Sequence, residues 1–384
     1  MKEKAMNELP LMNEGDGKVV LFYPEIPEEA KEEVNHTLSG RWIGQGPKVD
    51  LFEKKFNQMF NPGGQSISVG SGTDALHLSY LLSDFRPGDE VIVPLFTCTA
   101  TNIPFLYMGV KIVFADIDYK TMNVSIDSVK NLINSKTKGI VVVHYGGMPC
   151  DMTSLLEISK KHNLTLIEDA AHALGAKYYN KPIGSISDFT MFSFQAIKHI
   201  TTGDGGMVTF KKAETIYEKA KRVRWFGIDR SSKQKGIWEN DIKEIGYKYQ
   251  MNDISAGMGL AALNNFKTTL ELRQSLLKRY FENLSDFRRV FLVGDLYNSN
   301  CEHAAWLMTI YVDENRVGLM NKLRDNKIES AQVHYRNDRY SIFGGRKKFE
   351  IMDKVEDRYL VLPLHTKMKT EDVDRICKII KSGW

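Results

Sequence analysis

Lys198 stands in the run SFQAIKHITTGDGG (193–206), between the strand-like segments DFTMFSF and MVTF. Alternating polar and apolar residues on both sides place it on a short Thr- and Gly-rich loop between two strands. Lysine is strongly hydrated, so partial burial lowers its pKa and frees an amine that can form an imine with an aldehyde. Two other strand ends carry groups suited to that chemistry. After SISV (66–69) comes Gly70-Ser71-Gly72-Thr73-Asp74, which opens a helical pattern. Glycines there let backbone N–H groups approach an anion, and a helix N-terminus favours negative charge. After LTLI come Glu168 and Asp169, with His172 one helical turn further on. Each stretch also has a plainer reading as a helix cap.

The order cradle, carboxylate, lysine narrows the choice. Pyridoxal phosphate (PLP) needs a helix-end phosphate site, a carboxylate beside its pyridinium nitrogen and a lysine for its aldehyde. Ser193 ends the strand before Lys198 and is placed to join them. His144 follows the run VVV, where a lone strand-end histidine is more often structural than catalytic. The run G-S-G-T-D-A also fits a dinucleotide-binding turn, but that motif needs an acidic residue ending the next strand. EVIVP is followed instead by Leu95 and Phe96, which argues against NAD.

The 384 residues are 42% hydrophobic and 26% charged, as in a globular protein with more than one domain. A net charge of +4 without a basic, aromatic-rich run gives no support for nucleic acid. Four scattered cysteines with no CxxC pair speak against a metal site or a disulfide framework. No apolar run reaches membrane-spanning length and the N-terminus is charged, so a cytoplasmic protein without membrane partners is expected. Apolar runs alternating with helical patterns from about 65 to 210 predict an α/β fold with a mostly parallel sheet. The expected division is an N-terminal segment (1–50), a large domain (51–252), a long helix (253–285) and a small α/β domain (286–384).

SGTDALHL, EDAAHALGA and SFQAIKHITTGDGG together resemble the sugar aminotransferases of the DegT/DnrJ/EryC1/StrS family, which have the fold-type I PLP architecture. The similarity runs from GRWIGQGPKVDLFEKKF (40–56) to HYRNDRY (334–340). The resemblance implies that Ser71, Gly72 and Thr73 cradle the cofactor phosphate, with the Ser193 hydroxyl beside them. Asp169 would pair with the pyridine nitrogen, and His172 would lie near the ring face or its phenolic oxygen. Lys198 would carry the internal aldimine. It implies a homodimer with shared active sites that transfers an amino group from an amino acid, L-glutamate, to a nucleotide-linked keto sugar. The amino sugar would serve a surface polysaccharide, another glycan or a natural product.

Two positions depart from the family pattern. Cys98 stands where relatives carry an aromatic ring over the cofactor, so either Phe96 serves instead or stacking is weaker. Lys248, in Gly246-Tyr247-Lys248-Tyr249-Gln250, stands where relatives often have an asparagine that reaches the partner's phosphate; lysine suits the same role. Trp42, His334 and Arg336 are candidates for substrate contact, with Arg41, His303 and Arg339 behind them. A structural or solvent-facing role is as open for each. The alternatives are a PLP-dependent keto-deoxysugar dehydratase, a lyase with histidine in place of the lysine, and a non-catalytic regulator.

Overall fold

Seven runs rich in aliphatic and aromatic residues form one sheet: β1 (Gln65–Val69), β2 (Glu90–Pro94), β3 (Lys111–Ala115), β4 (Thr137–Val143), β5 (Thr165–Asp169), β6 (Phe189–Ser193) and β7 (Gly206–Phe210). They are seen in a computed structural model that describes residues 17–230, 241–296 and 298–384. The spatial order is β1-β7-β6-β5-β4-β2-β3. Pairs β3–β2, β2–β4, β4–β5 and β5–β6 are parallel, and β7 is antiparallel to both neighbours. Successive strand residues face opposite sides, so a sheet covered on both faces needs apolar residues at every position. Accordingly Ile140 and Val142 join one core cluster and Val141 the other.

This topology gathers chemistry at one edge. Parallel strands deliver their carboxyl ends there, and ligands of open α/β sheets bind beyond those ends. Antiparallel β7 starts at the same edge, because Gly206 pairs with both Ser193 and Val69. The loop bearing Lys198 therefore leaves β6 and returns into β7 directly beside the turn after β1.

A 32-residue helix, Asp253–Leu284, is capped by Asn252, whose side chain accepts from the Ser255 N–H at 2.9 Å. It packs on helices Glu28–Leu38 and Pro47–Phe60 and on helix Thr370–Lys381. Beyond it an antiparallel sheet of β8 (Val290–Leu292), β9 (Met308–Val312) and β10 (Tyr359–Leu362) lies with helices Arg316–Asp325 and Thr370–Lys381 around a third core cluster. Of the expected N-terminal segment, residues 1–16 lie outside the described residues. Val19 donates its N–H to Lys327 O at 2.9 Å, and His365 Nε2 lies 3.0 Å from Val20 O, so the chain around residue 19 lies on the C-terminal part.

One short pairing carries C-terminal residues to the site. Tyr335–Arg336 runs antiparallel to Phe96–Thr97, just after β2. Among the described residues no helix is long and apolar enough to cross a membrane.

Candidate active site

A cavity of about 340 Å3 opens at the carboxyl edge of the large sheet. Ser71, Gly72, Thr73, Cys98, Asp169, His172, Ser193, Lys198 and His334 all line it. Nine of the residues singled out by sequence thus meet at one place.

The turn after β1 begins helix Gly72–Leu82, with Ser71 as its cap: the Ser71 Oγ accepts from the Asp74 N–H at 3.0 Å. The plainer capping reading therefore holds for Ser71, and it leaves the first helical N–H groups toward the cavity edge. Gly72 presses against Ser193 so closely that a Cβ on it would come 2.9 Å from the Ser193 Oγ.

Asp169 and Glu168 are consecutive on β5, so their side chains take opposite faces of the sheet. Glu168 turns into the core, where its Oε2 meets His144 Nε2 at 2.7 Å with both side chains fully buried. His144 Nδ1 accepts from the Cys150 N–H at 3.0 Å, so its proton lies on Nε2 and points at Glu168. The pair is structural, as expected for His144. Asp169 faces the cavity. Its carboxylate accepts from the Thr101 hydroxyl at 2.8 Å and from the Ala171 N–H at 3.0 Å. Burial nevertheless holds its pKa above the usual carboxylate value, against these bonds and the nearby Lys198 charge. A buried anion so placed is suited to a cationic partner.

Burial pushes the Lys198 ammonium down to about 8, against the pull of Asp169. Its Nζ lies 3.7 Å from the centre of a Trp306 ring. The indole N–H of Trp306 donates to the carbonyl of Ile197, at 3.1 Å, which ties the lysine loop to the C-terminal part. The neighbouring His199 turns away, with Nε2 2.6 Å from Ala304 O. Lys198, not His199, thus faces the cavity.

His172 is 3% exposed and lies flat on Trp306, with ring centres 3.7 Å apart and planes 17° apart. Its Nε2 is 3.2 Å from His334 Nε2. Burial, together with the charge of Lys198, holds His172 far below its ordinary pKa and pushes His334 down to about 3. Both rings are neutral at physiological pH.

The other candidate residues fare differently. Phe96 is buried edge-on to Tyr359 and tilted against Tyr145, and does not line the cavity; Cys98 does, so no aromatic ring is supplied from that stretch. Arg336 is fully buried, and all five of its N–H groups are used. Asp338 takes two, at 2.6 and 2.8 Å, while Lys347 O, Asp353 and Glu356 take the others. It has no donor left for a substrate and acts as an internal ion-pair hub. His303 is buried and accepts from the Ala305 N–H, and Arg339 lies over Tyr335. Trp42, with Arg41 5.3 Å from its ring, borders a separate cleft with Arg224 and Trp225. Lys248 rests its Nζ 3.7 Å from the Trp225 ring, outside its own chain's cavity. Sequence reasoning missed Thr101 and Trp306. Thr101 carried a weak signal, lying one helical turn past Cys98, whereas Trp306 carried none.

The sequence profile of the DegT/DnrJ/EryC1/StrS aminotransferase family matches residues 24–381. The chain belongs to this family. GDP-perosamine synthase of Escherichia coli O157:H7 is 33% identical over 94% of the chain and 97% of its own length. The spore coat polysaccharide biosynthesis protein SpsC of Bacillus subtilis is 32% identical over 93% and 95%. Among solved structures, the PMP form of a sugar aminotransferase described as putative, Spr1654 of Streptococcus pneumoniae, superposes with a TM-score of 0.88 at 30% identity, covering 94% and 98%. The same Streptococcus protein is also known in a PLP form. Members of the family are PLP-dependent sugar aminotransferases with the fold-type I architecture, and this chain shares both fold and activity.

The cavity fits the family's cofactor. The start of helix Gly72–Leu82, with Ser193 packed beside it at the cavity, suits a phosphate, and the buried carboxylate of Asp169 suits a pyridinium. An amine with a pKa near 8 suits an aldehyde.

Proposed function

We propose that this enzyme moves the amino group of L-glutamate onto a keto sugar carried by a nucleoside diphosphate, as a cytoplasmic homodimer. The amino sugar formed would feed a surface polysaccharide or another glycan. The observation that carries the assignment is the convergence of Lys198, Asp169 and the Gly72–Ser193 cradle on one cavity.

Pyridoxal phosphate, when bound, supplies the electron sink that lets an amino group leave one carbon and be installed on another. The chain's own residues do the rest. The N–H groups at Gly72 and Thr73 and the Ser193 hydroxyl hold the phosphate. Asp169, steadied by Thr101 and Ala171, holds the positive charge of the ring nitrogen. Lys198, with a pKa of about 8, takes a proton on Nζ from the α-carbon of the donor. It then delivers that proton within the same cavity, because Trp306 and the Ile197 tether keep Nζ from swinging out. Lysine here, with His199 turned to the Ala304 carbonyl, favours transamination over the dehydratase alternative.

Likeness to GDP-perosamine synthases makes a GDP-linked keto sugar the first substrate to try. The purified enzyme is incubated with L-glutamate and GDP-, UDP- or dTDP-linked keto sugars in turn, and 2-oxoglutarate is measured. One of the three is expected to release it. No release with any of them, from protein that carries cofactor, would overturn the sugar assignment.

A further inference from the structure

His172 and His334 are parallel within 9°, yet their ring centres are 5.1 Å apart while their Nε2 atoms are only 3.2 Å apart. Rings stacked face to face sit closer, as His172 does on Trp306 at 3.7 Å. The two imidazoles therefore lie edge to edge in nearly one plane, joined through their Nε2 atoms. Trp306 is parallel to both, within 17° of His172 and 21° of His334, and backs the first directly. The result is a double-width flat wall.

Two neutral imidazoles joined Nε2 to Nε2 hold one proton between them, so one ring donates and the other accepts. The choice is coupled to the far nitrogen of each ring. If His334 donates, His172 carries its own proton on Nδ1; if His172 donates, its Nδ1 is bare. That Nδ1 is buried with no hydrogen-bond partner, in a residue that lines the cavity. A buried polar atom of this kind is satisfied by whatever occupies the space.

His334 itself is held in place against local preference. It adopts φ +65°, which non-glycine residues rarely take, while its carbonyl accepts from the Tyr359 hydroxyl at 2.6 Å. The next residue, Tyr335, is paired with Thr97. Backbone strain kept this way is a mark of a side chain whose aim matters.

We propose that His334 is a positioning residue: by sharing one proton with His172 it fixes whether the His172 Nδ1 meets the cofactor as donor or acceptor, and keeps the ring flat on Trp306. This rests on the PLP reading of the cavity.

The test uses the full-length enzyme with His334→Phe, which keeps a ring but cannot share a proton, and His334→Gln, whose amide can donate or accept. Nitrogen-15 spectra of histidine-labelled protein, with His172→Gln to identify the His172 signals, read which nitrogen carries the proton. The absorbance maximum of the bound cofactor and the split between kcat and KM are read alongside. His334→Phe is expected to change the His172 tautomer pattern, move the absorbance maximum and lower kcat roughly tenfold, on the order of one lost hydrogen bond. KM for glutamate should stay close to wild type. His334→Gln should recover part of each change. His172 signals, absorbance and kcat all unchanged in the Phe variant overturn the proposal. If the Phe variant does not fold, His334→Leu, which likewise cannot share a proton, takes its place: an altered His172 pattern with a moved absorbance maximum supports the proposal, and His172 signals, absorbance and kcat unchanged from wild type overturn it. Wild-type protein that shows no cofactor band at all would sink the PLP reading itself, a failure separate from any effect of His334.

Discussion

Gly72 lies against Ser193 with no room for a side chain: a Cβ would come 2.9 Å from both the Cβ and the Oγ of the serine. The backbone of Gly72 is ordinary helix, so alanine is allowed by conformation and refused by space. Gly72→Ala is expected to destabilise even the cofactor-free protein by about 1–3 kcal/mol, the usual cost of an overpacked contact, and, by shifting the helix start, to weaken PLP binding as well. Thermal unfolding of the cofactor-free protein reads the first effect and titration of PLP the second; wild-type affinity in the variant would remove Gly72 from the phosphate cradle.

Lys198→Ala should cut transamination by at least 10²-fold, since losing a general base typically costs about 10²–10⁴. PLP should still bind through the remaining residues. In the wild type, burial favours the neutral amine and moves its pKa from 10.5 down to about 8. The reactive fraction therefore rises as pH rises through 8 and saturates above it. The rate at which cofactor-free enzyme captures PLP should follow that curve, and a midpoint near 10 would contradict the buried setting.

Asp169→Asn keeps the size and one acceptor for the Ala171 N–H but removes the charge. Cofactor affinity should fall by about 1.5–3 kcal/mol, the range for a hydrogen bond to a charged group, and turnover should fall with it. If Asp169 served only to cap the turn, asparagine would replace it at little cost. Paired measurements of PLP affinity and kcat separate the two roles.

Lys198 is the one lysine or arginine among the described residues that line the cavity, which leaves a dianionic phosphate short of cationic partners. Lys248, exposed to Trp225 on its own chain, is proposed to supply that charge across the dimer interface. Lys248→Ala should weaken PLP binding by about 1.5–3 kcal/mol. Mixing Lys198→Ala with Lys248→Ala subunits should restore activity at the one hybrid site that keeps both lysines. No gain over either parent, once subunit exchange is demonstrated, would rule out the crossing.

His144→Ala should act on the fold and not on the chemistry. It removes the His144 hydrogen bond from the buried Glu168 carboxylate, a loss worth about 1.5–3 kcal/mol of stability, and leaves Ser187 and Thr190 as its donors. Hydrogen bonds to His144, Ser187 and Thr190 together hold Glu168 below its ordinary pKa despite burial. Denaturant unfolding reads the loss, and a change under about 1 kcal/mol would mean that the pair carries little weight.

Strand-end logic made Lys198, Asp169 and the Gly72 turn legible, because the polar residue after each apolar run is the one that β-topology gathers at an edge. It failed where a residue's role depends on distant partners. Arg336 has the chemistry of a phosphate ligand, and only the folded positions of Asp338, Asp353 and Glu356 show that its donors are spent. Trp306 sits just before β9, far along the chain from Lys198, and nothing in the run HAAWLM announces that its ring backs His172. His334 was picked out by its type, but its link to His172 arises from the pairing of Tyr335 with Thr97 and could not be read from spacing.

The thiol of Cys98 gives this enzyme a natural reporter. Of the four cysteines, Cys150 and Cys377 are buried, Cys301 is half-buried, and Cys98 alone is both exposed and at the cavity. A thiol-directed dye should attach there first without any engineered site. Its rate of attachment would then register, molecule by molecule, whether the cavity is filled or open, and so allow ligands to be ranked without an assay for their conversion.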